Sequence, residues 1–293
     1  MSRTPLRLEL MAASRRLEEA GVGSPRFDAD ELAAHLLGVS RGRLGLHPLV
    51  GDEWVEQYHA LVARRAAREP LQHILGTAVL GATTVQVGPG VFVPRPETES
   101  LLEWALAAVA DTPEPLVVDL CAGSGAIALA IAQARPDARV VAVERAAGAL
   151  AWARRNMELH EAAGGTPVDL RGGDIGDERL LEDLEGRVDL VTANPPYVPD
   201  GTVVDPEVGE FDPAEAVFSG ADGLDTIRRL VPVIAGLLTV GGTAAVEHDD
   251  TQGESAPALF AARRVFGEVT DHTDLTGRAR FLTLRRVALT PRR

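Results

Sequence analysis

From residue 116 onward the chain alternates short apolar runs with helix-forming segments, and this alternation limits its fold more than any other feature. The runs are "LVVDL" (116–120), "RVVAV" (139–143), "PVDL" (167–170), "RVDLVTA" (187–193) and "GTAAVEH" (242–248), with helical patterns near 126–134, 147–162, 222–238 and 251–265. Strands apolar at nearly every position need cover on both faces, so the pattern predicts an α/β fold with a mostly parallel, doubly wound sheet. Ligands in such sheets bind beyond the carboxyl ends of the strands. Candidate site residues are therefore sought there.

The chain before this region reads differently. Leu6, Leu10, Ala13 and Leu17 recur at helical spacing after Thr4-Pro5, and Ser24-Pro25 repeats that start signal before Leu32, Leu36 and Val39. A third helix is predicted from about Asp52 to Arg68. Val, Thr and Phe punctuated by Gly81, Gly88, Pro89 and Gly90 then suggest a β-hairpin. The expected organisation is a helical bundle over 1–77, a hairpin connector over 78–93 and a sheet domain over 94–293.

Two features at strand ends call for a nucleoside. In "DLCAGSGAIA" (119–128), Gly123 and Gly125 permit a sharp strand-to-helix turn and a close ligand approach. Cys121, Ala122 and Ser124 would complete that loop, with Cys121 inert rather than nucleophilic. Glu144, ending the next strand, stands where an acid could accept both hydroxyls of a ribose. Neither feature separates a nicotinamide dinucleotide from S-adenosylmethionine. Asp119 tips the balance, because an acid there would repel a pyrophosphate yet attract the ammonium of a methionine moiety. Asp174 lies after the third strand, where an adenine amino group is expected, and Ile175 could pack on the ring.

"TANPPYVP" (192–199) follows the fourth strand. Two adjacent prolines cannot donate backbone hydrogen bonds, so Pro195 and Pro196 make a stiff loop that neither extends the sheet nor starts an ordinary helix. Asn-Pro-Pro-Tyr resembles the catalytic motif of S-adenosylmethionine-dependent methyltransferases acting on planar, weakly basic nitrogens. An amide lone pair is delocalised into its carbonyl, so the nitrogen needs acceptors that hold its hydrogens and aim it. The Asn194 side-chain oxygen and the Pro195 carbonyl could be those acceptors, with the Tyr197 ring packed on the planar group.

Taken with "REPLQHILG" (68–76), "FVPRPETE" (92–99), "FDPAEAVFSGADGLDTIRRL" (211–230) and "DLTGRARFL" (274–282), this loop resembles the peptide chain release factor glutamine N5-methyltransferases over nearly the whole chain. The resemblance implies a Rossmann-like methyltransferase sheet behind a substrate-recognition bundle, with S-adenosylmethionine as donor and S-adenosylhomocysteine as product. It further implies that the acceptor is the glutamine of the Gly-Gly-Gln loop in class 1 release factors. By that resemblance Cys121 to Gly125 and Glu144 line the donor, and Asp174 and Ile175 border its adenine. Asn194 to Tyr197 hold the glutamine, with Asn194 also bordering the donor, and Phe92 with the Pro94-Arg95-Pro96 turn covers the donor pocket. Two positions depart from the family pattern: Cys121-Ala122 replace a more usual Gly-Thr, and Glu144 stands where Asp is frequent. Glu247 and His248 end the fifth strand, and His248 is read as a structurally bonded histidine rather than a base.

Alternative acceptors are a ribosomal-protein glutamine and, less favoured, an adenine N6 of DNA or RNA. A net charge of −14 with 29 basic residues, every one an arginine, argues against general affinity for nucleic acid. A single cysteine excludes an intramolecular disulfide and a cysteine-cluster metal site, and fits a reducing cytosol. No apolar stretch reaches the roughly 20 residues of a membrane span, and a signal-peptide core is lacking. A cytoplasmic monomer without a metal is expected.

Overall fold

The computed structural model describes residues 3–274 and 277–288. Two compact units divide the chain: Met1–Thr77 with Val204–Phe211, and Ala78–Val203 with Asp212–Arg293.

In the first unit, β1 (Arg3–Pro5) precedes α1 (Leu6–Glu19) and α2 (Pro25–Leu37), and β2 (Leu49–Gly51) precedes α3 (Asp52–Ala66) and α4 (Leu71–Leu75). Leu6, Leu10, Ala13 and Leu17 form the buried stripe of α1, as their spacing predicts. Thr4 does not cap that helix. Pro5 occupies the cap position, and Thr4 pairs with Val50 in an antiparallel ribbon. Pro25 does take the first turn of α2, behind Ser24. Tyr58, fully buried, stacks on Trp54 and donates its hydroxyl to the Ala29 carbonyl.

The second unit opens with β3 (Thr77–Leu80) and β4 (Thr83–Gln86), a two-stranded sheet. Its side chains Leu80, Val85 and Val87 share one core with α5 (Thr98–Ala108), so the hairpin is part of the sheet unit's core rather than a free link. The main sheet follows through β5 (Leu116–Leu120), α6 (Ala126–Ala134), β6 (Arg139–Glu144), α7 (Ala147–Ala162), β7 (Val168–Gly172) and β8 (Val188–Ala193). After Val203 the chain rejoins the first unit for α8 (Pro206–Phe211), then returns for α9 (Ala214–Val217), α10 (Asp225–Leu237), β9 (Leu238–Glu247), α11 (Ser255–Ala261), β10 (Phe266–Thr273) and β11 (Ala279–Arg286).

Among the described residues the main sheet has seven strands, in the order β10-β11-β9-β8-β5-β6-β7. The pairs β5–β6, β6–β7, β5–β8 and β8–β9 are parallel, whereas β11 runs antiparallel to β9 and β10 to β11. Side chains alternate faces along β5: Val117 enters a core with α6 and α7, while Leu116, Val118 and Leu120 enter another with α10 and α11. The strand order reverses between β5 and β8, which is where a ligand crevice should open.

Within the first unit, α8 is held by charge. Arg65 donates to Asp28 at 2.7 Å and to Glu207 at 2.8 Å, and Arg68 pairs with the same Glu207. Asp28 and Arg65 are both 6% exposed. Removing one member of a buried pair strands the other, at a cost of about 3–5 kcal/mol, whereas exposed pairs contribute about 0–1 kcal/mol. Arg65→Ala should therefore lower the denaturant midpoint strongly, followed by circular dichroism. Arg64→Ala, which breaks a solvent-facing pair with Glu69, should barely move it. Equal effects of the two would contradict the buried role of Arg65.

Candidate active site

Parallel register assembles the site. Leu120 lies beside Val143 on β6 and Ala193 on β8, and Ala193 lies beside Val246 on β9. One residue further along, Cys121, Glu144, Asn194 and Glu247 emerge together at the carboxyl edge. Four of the sequence-predicted positions are thus neighbours in space because their strands are neighbours in register.

Backbone geometry shapes the glycine loop. Gly123 and Gly125 have φ of 57° and 82° and Cys121 has φ of 60°, so three residues of the loop adopt left-handed conformations. A side chain at Gly123 would meet nothing within 4 Å, so the loop faces open space there. Ala122 donates to the Val143 carbonyl at 2.9 Å. Ser124 is buried and its carbonyl accepts from Asn156, which also exchanges two hydrogen bonds with Gln86 of β4. Asn156 escaped sequence reading because it lies within an ordinary helical pattern.

Glu144 closes the loop from the next strand. Its carboxylate accepts from the Gly123 N–H at 2.8 Å and the Ala146 N–H at 2.7 Å, and burial raises its pKa. Each oxygen keeps a second lone pair, as two ribose hydroxyls would need. Asp119 is fully buried near the end of β5. Its Oδ1 accepts from Thr192 of β8 at 2.8 Å, its Oδ2 has no side-chain hydrogen-bond partner among the described residues, and burial pushes its pKa up to about 7. Any attraction for an ammonium group must run through that unpartnered oxygen. Asp174, expected near an adenine, is engaged by Arg229 and the Gly176 N–H, with Arg145 at 3.7 Å. Ile175 packs on the core beside it. The open space before Gly123, the spare lone pairs of Glu144 and the orphaned Asp119 oxygen together fit a nucleoside donor carrying positive charge.

Asn194 is partly buried, and its Nδ2 donates to Thr98 Oγ1 at 3.3 Å. Among the described residues its Oδ1 has no hydrogen-bond partner, and neither has the Pro195 carbonyl. Tyr197 donates its hydroxyl to Glu247 at 2.9 Å, and Thr98 donates to the other oxygen of Glu247 at 2.8 Å. Burial pushes the Glu247 carboxyl up to about 7 and holds the Tyr197 phenol well above its usual range. The Tyr197 carbonyl accepts from Gln252, and Gly223 (φ 74°) approaches it so closely that a side chain there would lie 2.1 Å away. This explains the glycine in "FSGADGLD". Thr98 and Thr192 lie inside the quoted stretches "FVPRPETE" and "TANPPYVP", but their roles, like that of Gln252, are not legible there because each acts through a partner distant in sequence.

Phe92 and Arg95 form a unit of their own: the guanidinium lies 4.9 Å from the ring centroid and pairs with buried Asp212 at 2.6 Å. None of their hydrogen bonds reaches the glycine loop. His248 is fully buried, with Nδ1 against the Asp249 carbonyl and Nε2 3.0 Å from Asp271. Among the described residues no cluster of side chains could hold a metal ion, and no helix is long and apolar enough to cross a membrane.

A family model described as the PrmC N-terminal domain matches residues 10–76, and a methyltransferase small domain model matches residues 84–211. The release factor glutamine methyltransferase of Streptomyces coelicolor is 52% identical over 282 residues, covering 95% of this chain and 97% of that protein. Its counterpart from Mycolicibacterium smegmatis is 50% identical, covering 97% and 99%, and that of Mycobacterium tuberculosis H37Rv is 47% identical, covering 96% and 91%.

Cys121 yields a direct check on the loop. Although Cys121 is only half-buried, desolvation in the loop and the nearby Glu144 and Asp119 charges push its thiol up to about 12, so the thiolate is scarce at pH 8. Iodoacetamide should label it at least about 100-fold more slowly than free cysteine, by mass spectrometry. Labelling at the free rate would show that the loop is not packed as described.

Proposed function

Because the chain belongs to the release factor glutamine methyltransferase family, we infer that it transfers a methyl group from S-adenosylmethionine to the side-chain nitrogen, N5, of the glutamine in the Gly-Gly-Gln loop of class 1 release factors. One observation carries the reading of the site: among the described residues the Asn194 amide oxygen, at the carboxyl end of β8, has no partner while its nitrogen is tied to Thr98. An acceptor held in that orientation suits a ligand that offers N–H groups.

When bound, S-adenosylmethionine supplies an electrophilic methyl group on a sulfonium centre. Gly123, Gly125 and their neighbours would hold the donor, with Glu144 accepting from the ribose hydroxyls. Asn194 Oδ1 and the Pro195 carbonyl accept the two amide hydrogens of the glutamine, so that its lone pair lies along the methyl axis. Pro196 keeps these acceptors from relaxing, and the Tyr197 ring supports the flat amide. As the new C–N bond forms the methyl–sulfur bond breaks, its electron pair leaving with the thioether S-adenosylhomocysteine, and the nitrogen then loses one proton to water, because an alkylated amide nitrogen is strongly acidic. No strong base is needed. The helical unit would dock the body of the release factor, and the chain is expected to act as a cytoplasmic monomer without stable nucleic-acid binding.

The reading is tested by incubating purified protein and labelled S-adenosylmethionine with an extract lacking the activity, then locating the label by mass spectrometry. Label on the release factor glutamine supports it. Label confined to a ribosomal protein or to nucleic acid overturns it.

Two substitutions separate binding from chemistry. Glu144→Ala removes a charged acceptor, and such hydrogen bonds contribute about 1.5–3 kcal/mol, so calorimetry should show at least a roughly tenfold loss of donor affinity. Asn194→Ala should leave donor affinity near wild type and lower single-turnover methyl transfer by about 10²-fold or more, as removal of one preorganised polar contact does. Asn194→Asp, which gains a charge and loses the Nδ2 donor, should also be impaired. Transfer by Asn194→Ala at the wild-type rate would reduce the loop to a rigid turn.

A further inference from the structure

We propose that Glu247 is a positioning residue for methyl transfer: one carboxylate oxygen fixes the Tyr197 hydroxyl, and the other, acting through Thr98, decides which end of the Asn194 amide faces the acceptor. This rests on the reading of Asn194 given above.

The inference follows from the direction of each hydrogen bond. An ionised carboxylate only accepts. Thr98 is 2% exposed and must spend its single hydroxyl proton on Glu247 at 2.8 Å. Its oxygen can then only accept, and what it accepts is the Asn194 Nδ2 at 3.3 Å. With its nitrogen so used, the Asn194 amide turns its oxygen the other way, towards whatever must be held by its N–H hydrogens. Were Glu247 a donor, Thr98 would accept from it and donate to Asn194. The amide would then flip and offer an N–H to an amide nitrogen, which is the wrong polarity.

Packing makes this orientation hard to lose. Glu247 is 2% exposed on β9, in register with Phe281 of β11, so its carboxylate cannot swing out to water. The charged and titratable groups facing it are Glu97, which raises its pKa, Arg280, which lowers it and is itself paired with Asp274, and the Tyr197 phenol, which stays protonated. The next residue, His248, faces Asp271. Burial dominates, so Glu247 ionises at about 7. Below that pH its own proton competes with the two hydroxyl donors, and the chain of directions is no longer unique.

Three variants and two readouts test this. At saturating donor and release factor, Thr98→Val should lower the single-turnover rate at least about tenfold with donor affinity unchanged, and Thr98→Ser should restore most of that loss. Glu247→Gln should lower the rate similarly. It should also abolish the rise in rate that wild type shows as pH increases through about 7, since Gln does not titrate. Independently of any acceptor, the Asn194 side-chain amide protons should be shifted and slow to exchange by nuclear magnetic resonance in wild type and Thr98→Ser, and should lose both properties in Thr98→Val. Equal rates for Thr98→Val and Thr98→Ser, or a wild-type rate and pH profile for Glu247→Gln, would overturn the proposal. If wild type methylates no release factor, the functional reading fails instead. The magnetic resonance comparison then still decides whether Thr98 orients Asn194, and unchanged amide protons in Thr98→Val overturn the positioning role.

Discussion

Everything at the site depends on parallel strand pairing at the centre of the sheet. Because β5, β6, β8 and β9 run the same way in a fixed register, their last residues finish at one edge. Cys121, Glu144, Asn194 and Glu247 meet there although more than half of the sheet unit's sequence separates them. A slip of one residue in β8 would turn Asn194 to the other face and bring Pro195 to its place. The cores on both sheet faces prevent that slip, since it would drive Leu190 and Val191 into each other's environments. Stability and chemistry therefore share one constraint.

Electrostatics follow from the same convergence. Asp119 and Glu247 are both held up to about 7, in each case chiefly by burial, and the Glu144 charge raises Asp119 further. The folded chain thus keeps protons that an unfolded carboxyl, titrating near 4, would release. Stability from these two groups falls as pH rises from about 4 to about 7. A cationic ligand at the carboxyl edge offsets that loss by favouring the ionised forms, which suits a sulfonium donor better than a pyrophosphate.

Much of this was legible in the sequence. Apolar runs located β5 to β9, and the helix-start signals located α1 and α2, because periodicity and turn chemistry act over a few residues. The missing elements are of another kind. Strand β10 alternates half-buried and exposed residues at the sheet edge, and the buried run of β11 is only Phe281 to Leu284 with a threonine inside it, so neither carries the long apolar signal of the interior strands. The excursion of Val204–Phe211 into the first unit depends on Glu207 meeting Arg65 and Arg68, a pairing across 139 and 142 residues with no local trace. Site residues divide in the same way. Gly123, Glu144 and Asn194 were found from their places at strand ends. Asn156 was not, because it acts on the loop from another element, and although Thr98 and Thr192 lie in quoted stretches, their bonds to Asn194 and Asp119 leave no local trace. Asp119 is read from the same edge, and Thr192 across on β8 holds one of its oxygens.

The claim at the centre is that the acceptor nitrogen is gripped by the Asn194 oxygen and the Pro195 carbonyl. A crystal structure of the chain with S-adenosylhomocysteine and a release factor carrying N5-methylglutamine tests it most directly, because the methyl group marks the nitrogen without ambiguity. The marked nitrogen should lie within hydrogen-bonding distance of the Asn194 side chain or the Pro195 carbonyl, with Asn194 still joined to Thr98 and the methyl group pointing at the donor sulfur. A methylglutamine nitrogen bound away from both the Asn194 side chain and the Pro195 carbonyl, or with its carbonyl oxygen where the nitrogen should be, would contradict the claim.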